Sequence, residues 1–260
     1  MNNVIDLILK RKSIRAYQPR PVNPDVRAQV LQATLRAPTA GNMMLYSIID
    51  ITDQAIKDRL AVTCDDQPFI ATAPMLWLFL ADYQRWQDGF ITGGVPEICA
   101  AKNEPIRQPG EGDLLLACCD ALIAAQNAVI AAEALGLGSC YIGDILEHYE
   151  EHRDMFLLPK YALPVCLLCF GYPTSEQQER DQSTRFDERY IVFENRYRPL
   201  DPPEFEEMTA QRHKQIFKDR PEIGGSQNVA QYVYRRKFSA AFTQEMNRSV
   251  LAMLTAWNTP

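Results

Sequence analysis

The sequence predicts a globular protein in which helices alternate with short, buried strands. Its 260 residues are 47% apolar and 23% charged, a composition typical of a folded chain. Apolar runs of strand length are separated by segments whose apolar residues recur at helical spacing. The seven cysteines are scattered and odd in number, unlike the dense, even-numbered framework of a small disulfide-bonded protein. We therefore expect a sizeable core, organised as one large domain or two small ones.

The first third of the chain predicts two helices and two strands. Asn23 offers an N-cap and Pro24 stands at the first helical position, so a helix is expected over residues 24–36. Short apolar runs rich in β-forming residues predict buried strands, and helical spacing between them predicts a second helix. The two strands and this helix are expected at residues 47–52, 75–81 and 54–62.

The middle of the chain contrasts a polar insertion with a long apolar helix. Glycine and proline punctuate residues 83–112, which follow no single period and are expected to form a long loop or lid. Residues 114–135 are almost unbroken Ala, Leu, Ile and Val. Asp120 and Glu133 lie inside this stretch, and ionisable groups are costly at bilayer depth. We therefore expect a buried helix of a soluble protein rather than a membrane span.

The last third predicts two further strands and a helical tail. Apolar runs at residues 164–172 and 190–193 have strand character, with a polar stretch between them. Prolines then break the chain, and residues 204–260 are expected to form a helical extension. Its two amphipathic helices are predicted at residues 204–218 and 230–257.

Net charge and the start of the chain disfavour several classes of partner. The chain has 27 basic and 33 acidic residues, a net charge of −6, so it lacks the positive field that attracts nucleic acids and anionic membranes. Its first residues lack a basic segment followed by an apolar one, so secretion is not signalled. We expect a cytoplasmic protein with reduced cysteines and with no nucleic-acid or membrane partner.

Four segments hold groups that could bind a ligand. In an extended segment Arg11, Ser13 and Arg15 share one face, and two guanidinium groups with a hydroxyl suit a phosphate. Asn42 ends a turn of small residues and Gln67 precedes a strand, and either amide could serve the edge of a heterocycle. Glycines after the long apolar helix could let the backbone approach a flat ligand. Taken alone, each segment is more often solvated surface, a capped helix end or a turn.

Two pairs of potential ligands or redox groups are better explained by structure. Cys166 and Cys169 have the spacing of a redox pair, but in a strand such a pair points to opposite faces, so we expect core packing. His148 and His152 lie one helical turn apart without a recognisable third metal ligand, so we expect a solvated helix face.

Five motifs occur in the order seen in one enzyme family. They are residues 11–15 (Arg-Lys-Ser-Ile-Arg), the turn ending in Gly41 and Asn42, the helix end at 124–138, residues 141–143 (Tyr-Ile-Gly) and residues 170–173 (Phe-Gly-Tyr-Pro). In these motifs the chain resembles the FMN-dependent nitroreductases, in particular their oxygen-insensitive nitroreductase and flavin reductase branch. The resemblance covers residues 7–200 and includes Gln67 at the expected place.

The resemblance implies an α+β fold, a three-layer α/β/α sandwich around a mixed or antiparallel sheet. Residues 1–260 would form a single domain and an intertwined homodimer, with 83–112 as a lid-like insertion and 204–260 wrapping around the partner. FMN would be bound tightly but non-covalently at sites built by both subunits, and NADPH or NADH would donate electrons. The residues implied to contact FMN are Arg11, Lys12, Ser13, Arg15, Thr39, Asn42, Gln67, Tyr141, Ile142, Gly143, Asp144 and Arg185.

The activity implied by the resemblance is ping-pong hydride transfer from NAD(P)H through flavin N5 to nitroaromatics, quinones or free flavin, with no catalytic acid or base from the protein. Asp144 stands where this branch commonly has a second glycine, and a carboxylate facing the ring would disfavour negative charge on the reduced flavin. Flavin storage with little turnover, and dehalogenation or enone reduction on the same scaffold, are the alternatives. A phosphate-binding protein without flavin is the least favoured alternative, because Gln67 and residues 141–143 would have no role in it.

Overall fold

A four-stranded antiparallel sheet forms the centre of the fold. The structure, a computed structural model, describes residues 3–259. The strands are β1 (Tyr46–Asp50), β2 (Met75–Asp82), β3 (Gly138–Ile142) and β4 (Ala162–Gly171). They pair in the order β1, β2, β4, β3, and each neighbouring pair is antiparallel. β1 and β3 are therefore the two edges of this sheet.

Helices pack on both faces of the sheet, α2 and α7 on one and α3 and α4 on the other. The helices of the described residues are α1 (Asn3–Lys10), α2 (Pro24–Thr34), α3 (Gln54–Thr63), α4 (Phe69–Thr72), α5 (Gln84–Thr92), α6 (Val95–Lys102), α7 (Glu111–Ala134), α8 (Tyr149–Met155), α9 (Ser175–Glu179), α10 (Pro202–Phe217), α11 (Val229–Val233) and α12 (Ala241–Asn258). Alternate side chains of β2 enter different cores, because Trp77 packs with α2 and α7 whereas Leu78 packs with α3 and α4. The expected α+β sandwich of three layers is confirmed.

Helix α7 is the main helix of one face. By length and composition it could cross a membrane. Five of its alanines, however, are fully buried in the core against the sheet, where small side chains let the helix approach the strands closely: Ala121, Ala124, Ala125, Ala128 and Ala132. The structure therefore shows the core helix that the sequence predicts.

Polar side chains within α7 bind neighbouring segments. The carboxylate of Asp120, which is 2% exposed, accepts hydrogen bonds from the backbone N–H groups of Ala40 at 2.9 Å and Leu45 at 3.0 Å. The amide of Asn127 donates to the backbone carbonyl of Ala33 at 3.2 Å. These bonds attach the end of α2 and the turn before β1 to α7.

Most of the predicted elements are confirmed to within a few residues. The confirmed strands are those predicted at 47–52, 75–81 and 164–172, and the confirmed helices are those predicted at 24–36, 54–62, 114–135 and 204–218. Strand β3 was not expected, because Gly, Ser and Cys provide most of its residues and only pairing with β4 makes it a strand. Helices α1 and α8 were also not predicted.

Three predicted elements are wrong. Residues 83–112 are not a plain loop, because they contain α5 and α6, and the glycines that suggested a loop end one helix and cap the next: Gly94 has φ +79°. Residues 190–193 are not a strand, since a 3₁₀ turn at Glu188–Tyr190 ends there and the residues after it adopt no regular secondary structure. The single helix expected at 230–257 is interrupted after α11 by a π-type turn at Tyr234–Phe238.

The chain divides into two compact units. Residues 3–180 and 245–259 form the first, which contains the whole sheet, and residues 181–244 form the second. In the second unit Phe217 is buried between His213, stacked on it at 4.4 Å between ring centroids, and Tyr232.

Candidate functional site

The basic N-terminal segment runs along the free edge of β3. Ser13 pairs with Ser139 in parallel orientation, and the backbone N–H of Ile14 donates to the carbonyl of Ser139 at 2.9 Å. The Ile14 side chain is 4% exposed, whereas Ser13 is half-buried and Arg15 is exposed. The extended backbone therefore buries the apolar residue and leaves a hydroxyl and a guanidinium accessible on either side of it.

The same segment is tied to the end of α9. The Lys12 ammonium donates to the backbone carbonyl of Gln178 at 2.6 Å and to that of Arg180. In return the Arg180 guanidinium donates to the Ser13 carbonyl, and the Gln177 side chain accepts from the Arg15 N–H at 3.2 Å. Sequence reasoning missed Gln177 and Arg180, which lie in an unremarkable polar stretch. Lys12 thus serves the backbone of its own chain, while its role at a phosphate stays a prediction.

Gly138 of β3 lies in close contact with Ile14 of this segment. A methyl group at Gly138 would lie 2.8 Å from the Ile14 Cβ. We expect Gly138→Ala to push residues 11–15 away from β3 and to lower the free energy of unfolding by about 1–3 kcal/mol. Urea unfolding measures this change. Gly112→Ala is the matched control, because a methyl group there meets nothing within 4 Å, and equal stability of the two variants would contradict the close contact.

Glu133, near the end of α7, gives the basic segment an acidic neighbour. Its carboxylate is within 3.5 Å of the Ser139 hydroxyl, which donates to it. Burial raises the pKa of Glu133 to about 7, and the nearby Arg11 guanidinium acts in the opposite direction. The start of β3 therefore combines two guanidinium groups with one carboxyl group that changes charge near neutral pH.

Gln67 and Asp144 meet at the other end of β3. The Gln67 side-chain nitrogen donates to Asp144 Oδ2 at 2.8 Å and to the backbone carbonyl of Cys64 at 2.8 Å. Ser139 and Gly143 are four residues apart, about 13 Å at ~3.3 Å per residue of strand. One strand thus separates a cationic end from an end with an amide and a carboxylate.

The three residues of segment 141–143 differ in burial and in their surroundings. Tyr141 is half-buried on the α7 side, where its hydroxyl donates to Gln126 at 3.3 Å. Ile142 is 1% exposed in the opposite core, so only its backbone remains for a ligand. Gly143 is exposed, and a methyl group there would meet nothing within 4 Å. The predicted contacts of all three with a flavin ring stay predictions.

The turn that carries Thr39 and Asn42 lies elsewhere in the same chain. Both Gly41 and Asn42 adopt left-handed backbone angles, and Asp120 of α7 holds the turn. Asp120 and Glu133 are separated by about 20 Å along α7 at ~1.5 Å per residue. The turn also leads into β1, the sheet edge opposite β3, about 14 Å away at ~4.8 Å per strand. Within one chain, Thr39 and Asn42 are therefore not brought to the basic segment.

Arg185 belongs to the second compact unit. Its guanidinium donates to the backbone carbonyls of Ser183 at 3.2 Å and Thr184 at 3.3 Å. It lines a cavity of about 570 Å³ together with Arg212 and Tyr232. Two guanidinium groups on one cavity suit an anion, and the predicted contact of Arg185 with the FMN phosphate stays a prediction.

A buried carboxyl group lies close to Asp144. Glu147 is 3% exposed, and within residues 3–259 its Oε1 atom has no hydrogen-bond partner. Burial raises the pKa of Glu147 to about 7, with further contributions from the charges of Asp144, Asp65 and Glu245. Glu147 therefore gains a proton at a much higher pH than an exposed glutamate does.

Glu147 makes stability depend on pH. Its pKa rises from the ordinary glutamate value of 4.5 to about 7 in the fold, so between these pH values the folded chain binds more protons than the unfolded chain. The free energy of unfolding then falls as pH rises through this window. We expect Glu147→Gln to remove about 2–3 kcal/mol of that fall, measured by urea unfolding at pH 5 and pH 8. Exposed Glu104→Gln is the control, and equal pH slopes for wild type and Glu147→Gln would refute the assignment.

The cysteine pair and the histidine pair, for which the sequence predicts structural roles, differ in outcome. Cys166 and Cys169 are buried in the cores on opposite faces of the sheet, as expected. The prediction of a solvated face for the histidines is wrong for His152, which is fully buried with its ring nitrogens 2.8 Å from the Thr63 hydroxyl and 3.1 Å from the Ile145 carbonyl. All seven cysteines are free thiols.

Comparison with known proteins identifies the family. The profile of the nitroreductase family matches residues 8–172. The chain belongs to the nitroreductase family. It is 34% identical to an oxygen-insensitive NADPH nitroreductase of Salmonella typhimurium over 202 residues, 77% of each chain, and 28% identical to an NADPH-flavin oxidoreductase of Vibrio harveyi over 200 residues, 77% of each chain. The structure of B. megaterium NfrA2 aligns over 99% of this chain and 98% of that one with a TM-score of 0.80 at 25% identity.

The residues along β3 fit the cofactor of a nitroreductase. FMN is elongated, with an anionic phosphate at one end and a polar heterocyclic edge at the other. Arg11, Ser13 and Arg15 supply cations and a hydroxyl at the start of β3, and Gln67 supplies an amide at its end. The open space over Gly143 lets a flat ring approach the backbone between them.

Proposed function

We propose that this nitroreductase is an FMN-dependent NAD(P)H oxidoreductase. The observation that carries the proposal is the placement of a phosphate-type donor set and an amide at opposite ends of β3. When bound, FMN would supply the hydride chemistry that connects a reduced nicotinamide with an electron acceptor. The named relatives, an NADPH nitroreductase and an NADPH-flavin oxidoreductase, support nitro compounds and flavins as acceptors. Quinones are proposed as further acceptors on the family resemblance alone.

The protein's own residues bind and orient, while no side chain is needed as a catalytic acid or base. Arg11, Ser13 and Arg15 would hold the phosphate, since each guanidinium fork can make two hydrogen bonds to it. Gln67 would orient the heterocyclic edge. The backbone of Ile142 and Gly143 would approach the ring and leave room for the two substrates to bind in turn.

A homodimer would complete the site. Thr39 and Asn42 lie on a turn far from the basic segment of their own chain, so a second copy of the chain would have to supply them. Exposed apolar side chains on α7 and α1 provide a surface for that copy: Val4, Ile5, Ile8, Leu9, Leu115, Leu116, Leu122 and Ile123 are 39–66% exposed. A surface of this kind is typical of a subunit interface.

Complementation between two defective variants tests the shared site. Arg15→Ala removes a phosphate contact, and Asn42→Gly removes the side chain of the turn while tolerating its left-handed backbone. If each site combines Arg15 of one subunit with Asn42 of the other, mixed dimers of the two variants regain one intact site out of two. FMN binding that stays at the level of the separate variants, in mixed dimers purified through a different affinity tag on each variant, would refute the shared site.

The absorption spectrum of the purified protein tests the activity. We expect a yellow protein whose flavin absorbance is bleached rapidly in anaerobic stopped-flow mixing with NADPH or NADH and returns when an acceptor is added. A protein that binds no FMN refutes the proposal, and one that binds FMN but bleaches slowly or not at all is a flavin-storage protein. Comparing the two nicotinamides decides the electron donor.

Residues 83–112 are proposed to shape acceptor choice. Helices α5 and α6 and the chain after them enclose a cavity of about 330 Å³ lined mainly by apolar side chains, including Phe90 and Ile91. Such a cavity suits an aromatic acceptor. Rates with a panel of acceptors, measured for wild type and for a variant without this insertion, test the idea. A cytoplasmic location also stays a proposal, consistent with seven free thiols.

A further inference from the structure

The hydrogen bonds of Gln67 fix which way its amide faces. Its nitrogen donates to Asp144 Oδ2 and to the Cys64 carbonyl, both at 2.8 Å. A carbonyl and a carboxylate can only accept, so the NH₂ group and not the oxygen must face them. The two N–H bonds of the amide are therefore both in use within the chain.

The oxygen Oε1 is then the only hydrogen-bonding atom that Gln67 can offer to a ligand. Within residues 3–259 this oxygen accepts no hydrogen bond, and the side chain is half-buried. A glutamine at a heterocyclic edge can ordinarily either donate or accept. Asp144 removes that choice by occupying the second N–H.

We propose that Asp144 is a positioning residue that makes Gln67 an obligatory hydrogen-bond acceptor, so that the site selects a ring edge carrying an N–H. The inference rests on the proposed function, because the N–H in question is the imide N3–H of the flavin pyrimidine edge. An edge that offers only carbonyl oxygens would face the Gln67 oxygen without a hydrogen between them. Such an unpaired, desolvated acceptor pair is unfavourable.

A flavin that lacks this hydrogen is the direct probe. We expect wild-type protein to bind N3-methyl FMN at least roughly tenfold more weakly than FMN, a ratio equivalent to about 1.4 kcal/mol. In Asp144→Ala one N–H of Gln67 becomes available to flavin carbonyls, so the ratio of the two dissociation constants should fall several-fold. Quenching of flavin fluorescence measures both constants without any turnover.

Two controls distinguish the loss of a hydrogen bond from steric rejection of the methyl group and from the effect of the negative charge of Asp144. Gln67→Ala should remove most of the discrimination, and if it keeps the wild-type ratio, the methyl group is rejected by steric contact and the proposal is overturned. Glu147→Gln alters a neighbouring carboxyl group that does not bond to Gln67 and should keep the wild-type ratio. A lower ratio in Glu147→Gln, equal to that in Asp144→Ala, would assign the effect to charge and would also overturn the proposal.

The outcomes distinguish this assignment from the function on which it rests. Wild-type protein that binds neither flavin refutes the proposed FMN site itself. Wild-type protein that binds both flavins equally tightly keeps that function and overturns the role of Asp144. An unchanged ratio in a folded Asp144→Ala variant, checked by its circular dichroism, has the same consequence.

Discussion

Arg15→Ala is expected to weaken FMN binding by about 10- to 100-fold, because a charge-assisted hydrogen bond to phosphate is worth ~1.5–3 kcal/mol. Arg15 is exposed beside the segment that pairs with β3. Its planar fork can hold two phosphate oxygens at once. Lys12→Ala should weaken binding less, because the Lys12 ammonium already donates to the carbonyls of Gln178 and Arg180. Equilibrium dialysis of apoprotein with FMN measures both effects.

The unfolding temperature and a nearby control residue test the comparison of Arg15→Ala with Lys12→Ala. Lys12→Ala should lower the unfolding temperature, since it breaks the tie between the basic segment and α9, whereas Arg15→Ala should change that temperature little. Exposed Lys10, at the end of α1, is a nearby cation whose replacement by alanine should change neither quantity. Equal FMN dissociation constants for Arg15→Ala and Lys12→Ala would contradict the assignment of the phosphate end.

The sequence predicts elements whose signal is local and misses those that other segments create. Strand β2 is predictable because its residues 75–81 form an unbroken apolar run, as a strand buried on both faces requires. Strand β3 has no such run, and its extended form comes from β4 on one side and Ser13 on the other. His152 was misjudged for the same reason, because its polar partners Thr63 and Ile145 belong to other elements.

In the candidate site, too, individual residues are predictable from local motifs, whereas the contacts between distant residues are not. Sequence motifs identify Gln67 and Asp144 separately, but their hydrogen bond joins residues 77 positions apart and has no signature in the sequence. Gln177 and Arg180 were missed because their task is to bind backbone of the N-terminal segment, which any polar side chain could do. From the sequence, Asp120 is only a charge that disfavours a membrane span, whereas in the structure it accepts hydrogen bonds from two backbone N–H groups.

Asp120→Ala is expected to destabilise the protein by about 3 kcal/mol, because it leaves two backbone N–H groups without an acceptor at ~1–3 kcal/mol each. The groups belong to Ala40 and Leu45, and Leu45 is 1% exposed, so water cannot replace the carboxylate there without rearrangement. For a chain of this size the unfolding temperature should fall by about 6–12 °C. All variants are measured at the same protein concentration, because the unfolding temperature of a dimer depends on that concentration.

The same substitution should also reduce FMN binding, because Asp120 holds the turn of Thr39 and Asn42. Asn127→Ala is the matched comparison on α7: it removes one hydrogen bond, to the Ala33 carbonyl, and should cost about 1 kcal/mol without affecting FMN. Asp120→Asn keeps the size of the side chain but turns one acceptor into a donor facing an N–H, so it should be nearly as harmful as alanine. If Asp120→Asn were as stable as wild type, the two backbone bonds would not be what holds the turn.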